Sequence, residues 1–182
     1  MTETLTLPAA GTWSLDPAHT VVGFSARHLM AAKVRGTFKS FSGEITIGDS
    51  PENSSVTVSI DAGSIDTGVE DRDGHLRSPD FLNIEEYATL EFASTAVRQA
   101  GTHYEVDGDL TIRDITNPVT LKLEHHGLVT DPWGNNKALF SASTKINRED
   151  WGLTWNAPLE AGGWLVGKDV TIELEVQAAP AS

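Results

Sequence analysis

At 182 residues the chain is long enough for one domain with a sizeable core, and Gly and Pro are spread along it without a linker-like run, so a single domain over residues 1–182 is expected. Its 26 acidic residues against 13 basic ones give a formal charge of −13, which on average repels phosphate backbones and anionic lipid surfaces and argues against a nucleic-acid partner. The absence of cysteine removes thiolate catalysis, disulfides and sulfur-ligated metals together.

In chain order, Met1–Gly11 carries neither a basic leader nor an apolar run, so no secretory signal is expected. No later segment reaches the ~18 consecutive apolar residues of a membrane span, and a cytoplasmic location follows as the expectation. These first residues and the tail Ala178–Ser182 read as flexible ends. Strands fit Trp13–Leu15, His19–Leu29 and Val34–Ile47. The third changes phase, because Phe38 and Phe41 differ in parity; a bulge or bend near Ser40 would bring both rings to one side. From Val56, alternation is strict: Val56, Val58 and Ile60 oppose Thr57, Ser59 and Asp61.

The next element is helical. TGVE, Thr67–Glu70, has the form of a capping box, and a helix from there would run to about Ser78, where Pro79 stops it. Val69 and Leu76 would share a face. The stretch DRDGHLRSPDFL, Asp71–Leu82, therefore reads as a short amphipathic helix lying on a sheet, with Phe81 and Leu82 turning inward. Within it Asp73 and Arg77 stand i, i+4, so pairing along the helix is expected ahead of a ligand-clamping role.

Period-two patterning then returns. Leu90 and Phe92 alternate in TLEFAS, and Leu110 and Ile112 in GDLTIRD. Val119, Leu121 and Leu123 oppose Thr120, Lys122 and Glu124. A strand fits Ala138–Ile146. Trp151, Leu153 and Trp155 share a strand face in NREDWGLTWN, as core filling or as a cavity wall. Val170, Ile172, Leu174 and Val176 complete the set. Long antiparallel strands with one dry face can stack as a sandwich or close as a barrel; runs of nine or ten residues, ~30 Å at the usual rise, favour a barrel.

Chemistry is hard to find in this pattern. His125 and His126 are adjacent on a strand and cannot chelate jointly, and no HxH or HExxH occurs, so no metal is expected. There is no GxSxG elbow, no GxGxxG and no P-loop, so neither a catalytic set nor a cofactor is assigned.

Specific phrases do line up with a known family. WSLDPAHTVVGFSARHLM, VRGTFKSFSGEI, SIDTGVEDRDGHLRSPDFLNIEEYATLEF, GDLTIRDITNPVTL, INREDWGLTWN and GGWLVGKDVTIELEV, in that order, resemble the YceI-like family of bacterial lipid-binding proteins. The resemblance covers Trp13 to about Val176. Ala88 stands where the family pattern has proline and Asp114 where it has glycine; both are changes at loops or strand edges. The resemblance implies an all-β, extended, antiparallel eight-stranded lipocalin-like barrel with a short helix near its mouth. It further implies that the pore holds a polyisoprenoid, an isoprenoid quinone or a fatty-acyl derivative, as a carrier or store without catalysis.

Parity and motif position then assign Phe24, Ala26, Phe38, Phe41, Ile60, Phe92, Phe140, Ile146, Leu153 and Trp155 to the pore wall. Leu76, Phe81 and Leu82 are assigned to its mouth, and His28, Arg72 or His75 to a polar head group. Two alternatives stay open: an enzyme working on a small apolar substrate at the mouth with His28 or His75 as acid or base, and a homodimer formed through strand edges.

Overall fold

The computed structural model describes residues 7–181; Met1–Thr6 and Ser182, parts of the expected flexible ends, lie outside them. The β-segments are β1 (Gly11–Leu15), β2 (Val21–His28), β3 (Ala32–Phe38), β4 (Phe41–Ile47), β5 (Ser55–Asp61) and β6 (Ile65–Asp66). After helix α1 (Glu70–Arg77) come β7 (Thr89–Ala100), β8 (His103–Ile112), β9 (Ile115–Thr130), β10 (Asn136–Asn147) and β11 (Val166–Pro180). All pairings are antiparallel.

The sheet closes because β11 has two partners on one edge. Its Val166–Glu175 part pairs with β2, and its last residues pair with β1 through Trp13↔Pro180 and Leu15↔Ala178. β1 then pairs with β4, β2 with β3, β3 with β6 and β4 with β5. Three positions around the barrel are therefore broken strands, β1 with β2, β3 with β4 and β5 with β6, and β7 to β11 fill the other five. The expected eight-stranded antiparallel barrel is the architecture, and closure leaves no long free edge.

The phase change between Phe38 and Phe41 has a simple origin. The strand ends at Phe38 and restarts at Phe41, and Lys39 N–H donates to Ser64 O while Ser40 O accepts from Asp61 N–H. Both halves satisfy their backbone groups against different segments of one neighbouring chain stretch, so the break leaves few orphaned polar groups.

At the chain ends, Ala178–Pro180 are part of β11, with Ala178 fully buried, and Leu7 and Pro8 also pack inward. Ala178–Pro180 look unlike strand residues yet close the barrel, because backbone pairing asks little of side chains.

The helix starts later than expected, and its capping box does not form. Val69 is the N-cap without a side-chain bond, and Thr67 donates both its N–H and its hydroxyl to the carboxylate of Asp73. A buried carboxylate is a strong acceptor, so it takes the Thr67 N–H that the box would have given to Glu70 and turns the hydroxyl away from accepting there. Asp73 and Arg77 do not pair either: Arg77 donates to Gly63 O and Ile65 O, and Arg72 to Thr67 Oγ1 and O. These bonds stitch α1 to the segment before it. Val69 is exposed, leaving Leu76 as the residue α1 turns toward the barrel interior. The amphipathic reading thus gives way to a helix held mainly by polar bonds.

NREDWGLTWN is not a strand. Arg148–Trp151 form a 3-10 turn ended by Gly152 at φ 76°, a left-handed conformation suited to glycine. Trp151 is buried and donates its Nε1–H to Leu110 O, fixing this turn to β8 at the same end of the barrel as α1.

Candidate functional site: an apolar cavity along the barrel axis

Inward residues of nearly every strand surround a cavity of about 300 Å³. It runs from Ala26, Phe81 and Leu153 at the α1 end to Leu7, Ile47 and Pro51 at the other. That volume stands at the lower bound of small-molecule sites, roughly 300–1,000 Å³. The lumen stays open partly through glycine. Phe24 faces Gly36 across the β2–β3 pair, and a Cβ at Gly36 would sit 2.4 Å from the Phe24 ring. Phe92 lies over Gly108 in the same way, again at 2.4 Å. With no side chain beneath them, both rings can lie against the wall.

The residues assigned from sequence divide into two groups. Phe24, Ala26, Phe38, Ile60 and Phe92 line the cavity, as do Phe140, Ile146 and Leu153. Leu76, Phe81 and Leu82 close the α1 end of the same wall. Phe41 pairs with Ile60 but borders a shallow outer groove with Leu15 and Ser42. Trp155 stands one layer outside the wall, its ring 5.5 Å from that of Phe81.

The three polar assignments also fall outside the wall. His28 ends β2, Arg72 is bonded to Thr67, and His75 is held by Asp80 at 2.9 Å and by the rings of Trp155 and Phe81 at 4.5 and 5.1 Å.

Among the wall residues that sequence patterning did not single out, Arg148 and Tyr104 carry polar groups of consequence. Arg148 is 3% exposed, and its guanidinium donates to Leu153 O, Gly167 O and Val166 O. Burial lowers its pKa, with the nearby Glu149 carboxylate opposing that shift. Its role is to hold the backbone that follows the 3-10 turn against β11. Tyr104 is 1% exposed and lines the opposite end of the cavity from α1, where β7 turns into β8. Its hydroxyl has no hydrogen-bond partner among the described residues, and burial raises its pKa. The alternation of Tyr104, Val106 and Gly108 in YEVDG was a usable signal for this inward position.

Two other polar wall side chains bond to the protein itself: Thr20 Oγ1 donates to Gln177 O and Ser54 Oγ to Ser50 O. Among the described residues no group of three or more His, Asp or Glu is placed to hold a metal ion. Nor is any helix among the described residues long and apolar enough to cross a membrane.

A closed antiparallel barrel with a hollow apolar axis defines the class, a lipocalin-like container. The chain belongs to the YceI-like domain family, whose model matches residues 13–178. It is similar to the protein YceI of Salmonella newport, 39% identical over 137 residues that span 75% of this chain and 72% of that one. A YceI protein of Campylobacter jejuni, solved in crystals, is 28% identical with a TM-score of 0.72, and the match covers 99% of both chains. A polyisoprenoid-binding domain of Saccharophagus degradans shares the fold at 13% identity and a TM-score of 0.69, over 93% of this chain and 98% of that one.

Proposed function

We propose that this protein binds, carries or stores a long apolar molecule, of the polyisoprenoid, isoprenoid-quinone or fatty-acyl kind, without chemical turnover. The single observation that carries this reading is the hollow axis, walled by Val, Ile, Leu and Phe from all eight strand positions and closed by Leu76, Phe81 and Leu82. An empty apolar lumen forfeits dispersion contacts along its lining. A hydrocarbon chain restores them and gains roughly 0.8 kcal/mol per buried CH₂, before ordering is subtracted. The polyisoprenoid-binding domain of Saccharophagus degradans, which has the same fold, supports the ligand class.

The test is native mass spectrometry of protein purified without detergent, followed by solvent extraction and identification of the extract. A stoichiometric adduct of a hydrocarbon-chain lipid is the expected outcome. Protein that carries no adduct, and whose melting temperature does not rise with added prenyl or acyl ligand, refutes the reading, since a ligand that binds only the folded state must stabilise it.

A further inference from the structure

We propose that the turn joining β2 and β3 docks on an anionic lipid bilayer, holding the α1 end of the cavity against it. The turn is poorly chosen for folding alone. Its central residues, Leu29 and Met30, have φ of 53° and 67°. Hairpins normally fill two successive positive-φ positions with Asn-Gly, since bulky side chains there strain the backbone. The chain places two large apolar side chains at those positions and exposes them, Leu29 by 52% and Met30 by 64%. Trp164, 52% exposed, continues the patch: its N–H reaches Met30 Sδ at 3.5 Å, and Leu29 N–H donates to Leu165 O.

Charge surrounds this tip with the opposite sign to the whole molecule. Between Asp16 and Glu44 there is no acidic residue, while Arg27, Lys33, Arg35 and Lys39 all fall there, in a chain of net charge −13. The inward set of Phe24, Ala26 and Phe38 leaves Arg27, Lys33 and Arg35 exposed on the outer face. Arg27 and Lys33 are direct cross-strand partners, a like-charge pairing that destabilises a sheet. Among the described residues, none of the three has a carboxylate within salt-bridge distance. The acids nearest by register are Asp169, in the irregular stretch of β11 between the partners of His28 and Ala26 and already paired with Lys145, then Asp66 opposite Thr37 and Glu173 opposite Gly23; Glu160 lies in the loop that carries Trp164.

Strained apolar side chains with cations directly behind them match a bilayer interface, where acyl chains take the first and anionic headgroups the second. The opposite end of the barrel offers a contrast. There Leu128, Val129 and Trp133 are exposed, but their turn holds Asp131, and Lys137 is paired with Asp16. The docked end is also an end of the cavity: Ala26 and Val166 line it, and Val166 is the register partner of His28, next to the turn. Transfer of a ligand through that end rests on the carrier reading; docking itself does not.

The test is flotation with vesicles of phosphatidylcholine and phosphatidylglycerol, compared with phosphatidylcholine alone. Wild type should float with the anionic vesicles and be released as ionic strength approaches about 0.5 M, where screening is strong. Replacing Arg27, Lys33 and Arg35 by glutamine should weaken binding roughly fivefold per cation removed. The double substitution Leu29→Asn, Met30→Gly suits the turn, so it should melt no lower than wild type yet lose the vesicles. Equal flotation with both vesicle types, or variants that float like wild type, overturns the proposal. So does a tip variant that changes oligomeric mass in light scattering while wild type ignores vesicles, which assigns the patch to a second protein copy. Retention of extractable lipid by the tip variant tests the carrier reading separately.

Discussion

Substituting Gly36 by alanine should move the Phe24 ring off the barrel wall and into the lumen. The added Cβ would lie 2.4 Å from Phe24 Cζ and 2.9 Å from Cε1, with Thr67 Cγ2 also at 2.9 Å. Ordinary contact begins near 3.4 Å, so the ring has to retreat by about 1 Å, and the cavity is where it has room to go. All three of these neighbours are side-chain atoms, so the barrel itself survives. Mild overpacking of this kind costs about 1 kcal/mol or somewhat more, which lowers the melting temperature by roughly 2–4 °C per kcal/mol in a domain of this size.

Ligand binding should suffer separately. Lumen lost to the ring excludes about one methylene of a bound chain, and at roughly 0.8 kcal/mol per CH₂ affinity falls about fourfold. The assay is titration of a fluorescent fatty-acid or prenyl probe, with thermal unfolding measured in parallel. Unchanged probe affinity in a variant that shows the thermal penalty would refute the reasoning, because it would separate the ring's position from the binding volume.

Leu76→Asp at the α1 end should weaken retention of a hydrophobic ligand while the β-rich circular dichroism persists; unaltered retention would remove α1 from the cavity's closure. Tyr104→Phe deletes the unpartnered hydroxyl and nothing else. It should lower affinity for a ligand bearing a buried carbonyl or hydroxyl by roughly five- to tenfold, the worth of one hydrogen bond, while leaving a pure hydrocarbon unaffected in the same titration. Arg148→Met strands the carbonyls of Leu153 and Gly167, while Val166 O keeps its bond from Asn156 Nδ2, and should cost about 3 kcal/mol, read by denaturant unfolding.

Acid should also destabilise the fold. Hydrogen bonds from His19 and Lys137 hold Asp16 below the usual carboxylate range, Arg98 does so for Asp107, and Asn135 N–H for Asp131. Depressed folded-state values add stability above about pH 4, lost as pH falls through them. The melting temperature should therefore drop on that acid limb, and Asp16→Asn should make the drop shallower.

Much of the barrel was readable because each strand has one dry face. Val56–Asp61 and Val170–Gln177 alternate without exception, and both are strands whose apolar members line the cavity. Parity failed where the backbone leaves the strand conformation. Trp151, Leu153 and Trp155 keep a period of two across a 3-10 turn and a left-handed Gly152, so their spacing carried no information about a shared face. Phe41 follows a break at Lys39 and Ser40, which resets the count. Local polar signals failed through competition: the Thr67 N–H that the capping box would give to Glu70, and the hydroxyl it would use as an acceptor, both donate to Asp73 instead. Arg148 was not recoverable at all, because the carbonyls that satisfy it come from residues Leu153, Val166 and Gly167 brought together by the barrel.

The joint between β1 and β11 brings together stretches about 165 residues apart in sequence. During synthesis, then, the barrel stays an unsealed ribbon with its greasy side uncovered until β11 has left the ribosome. Closure through such distant partners is slow by its topology and leaves that side open to unwanted contacts. On the carrier reading, a hydrocarbon present at that moment is wrapped as the ribbon rolls up, and loading then needs no entrance.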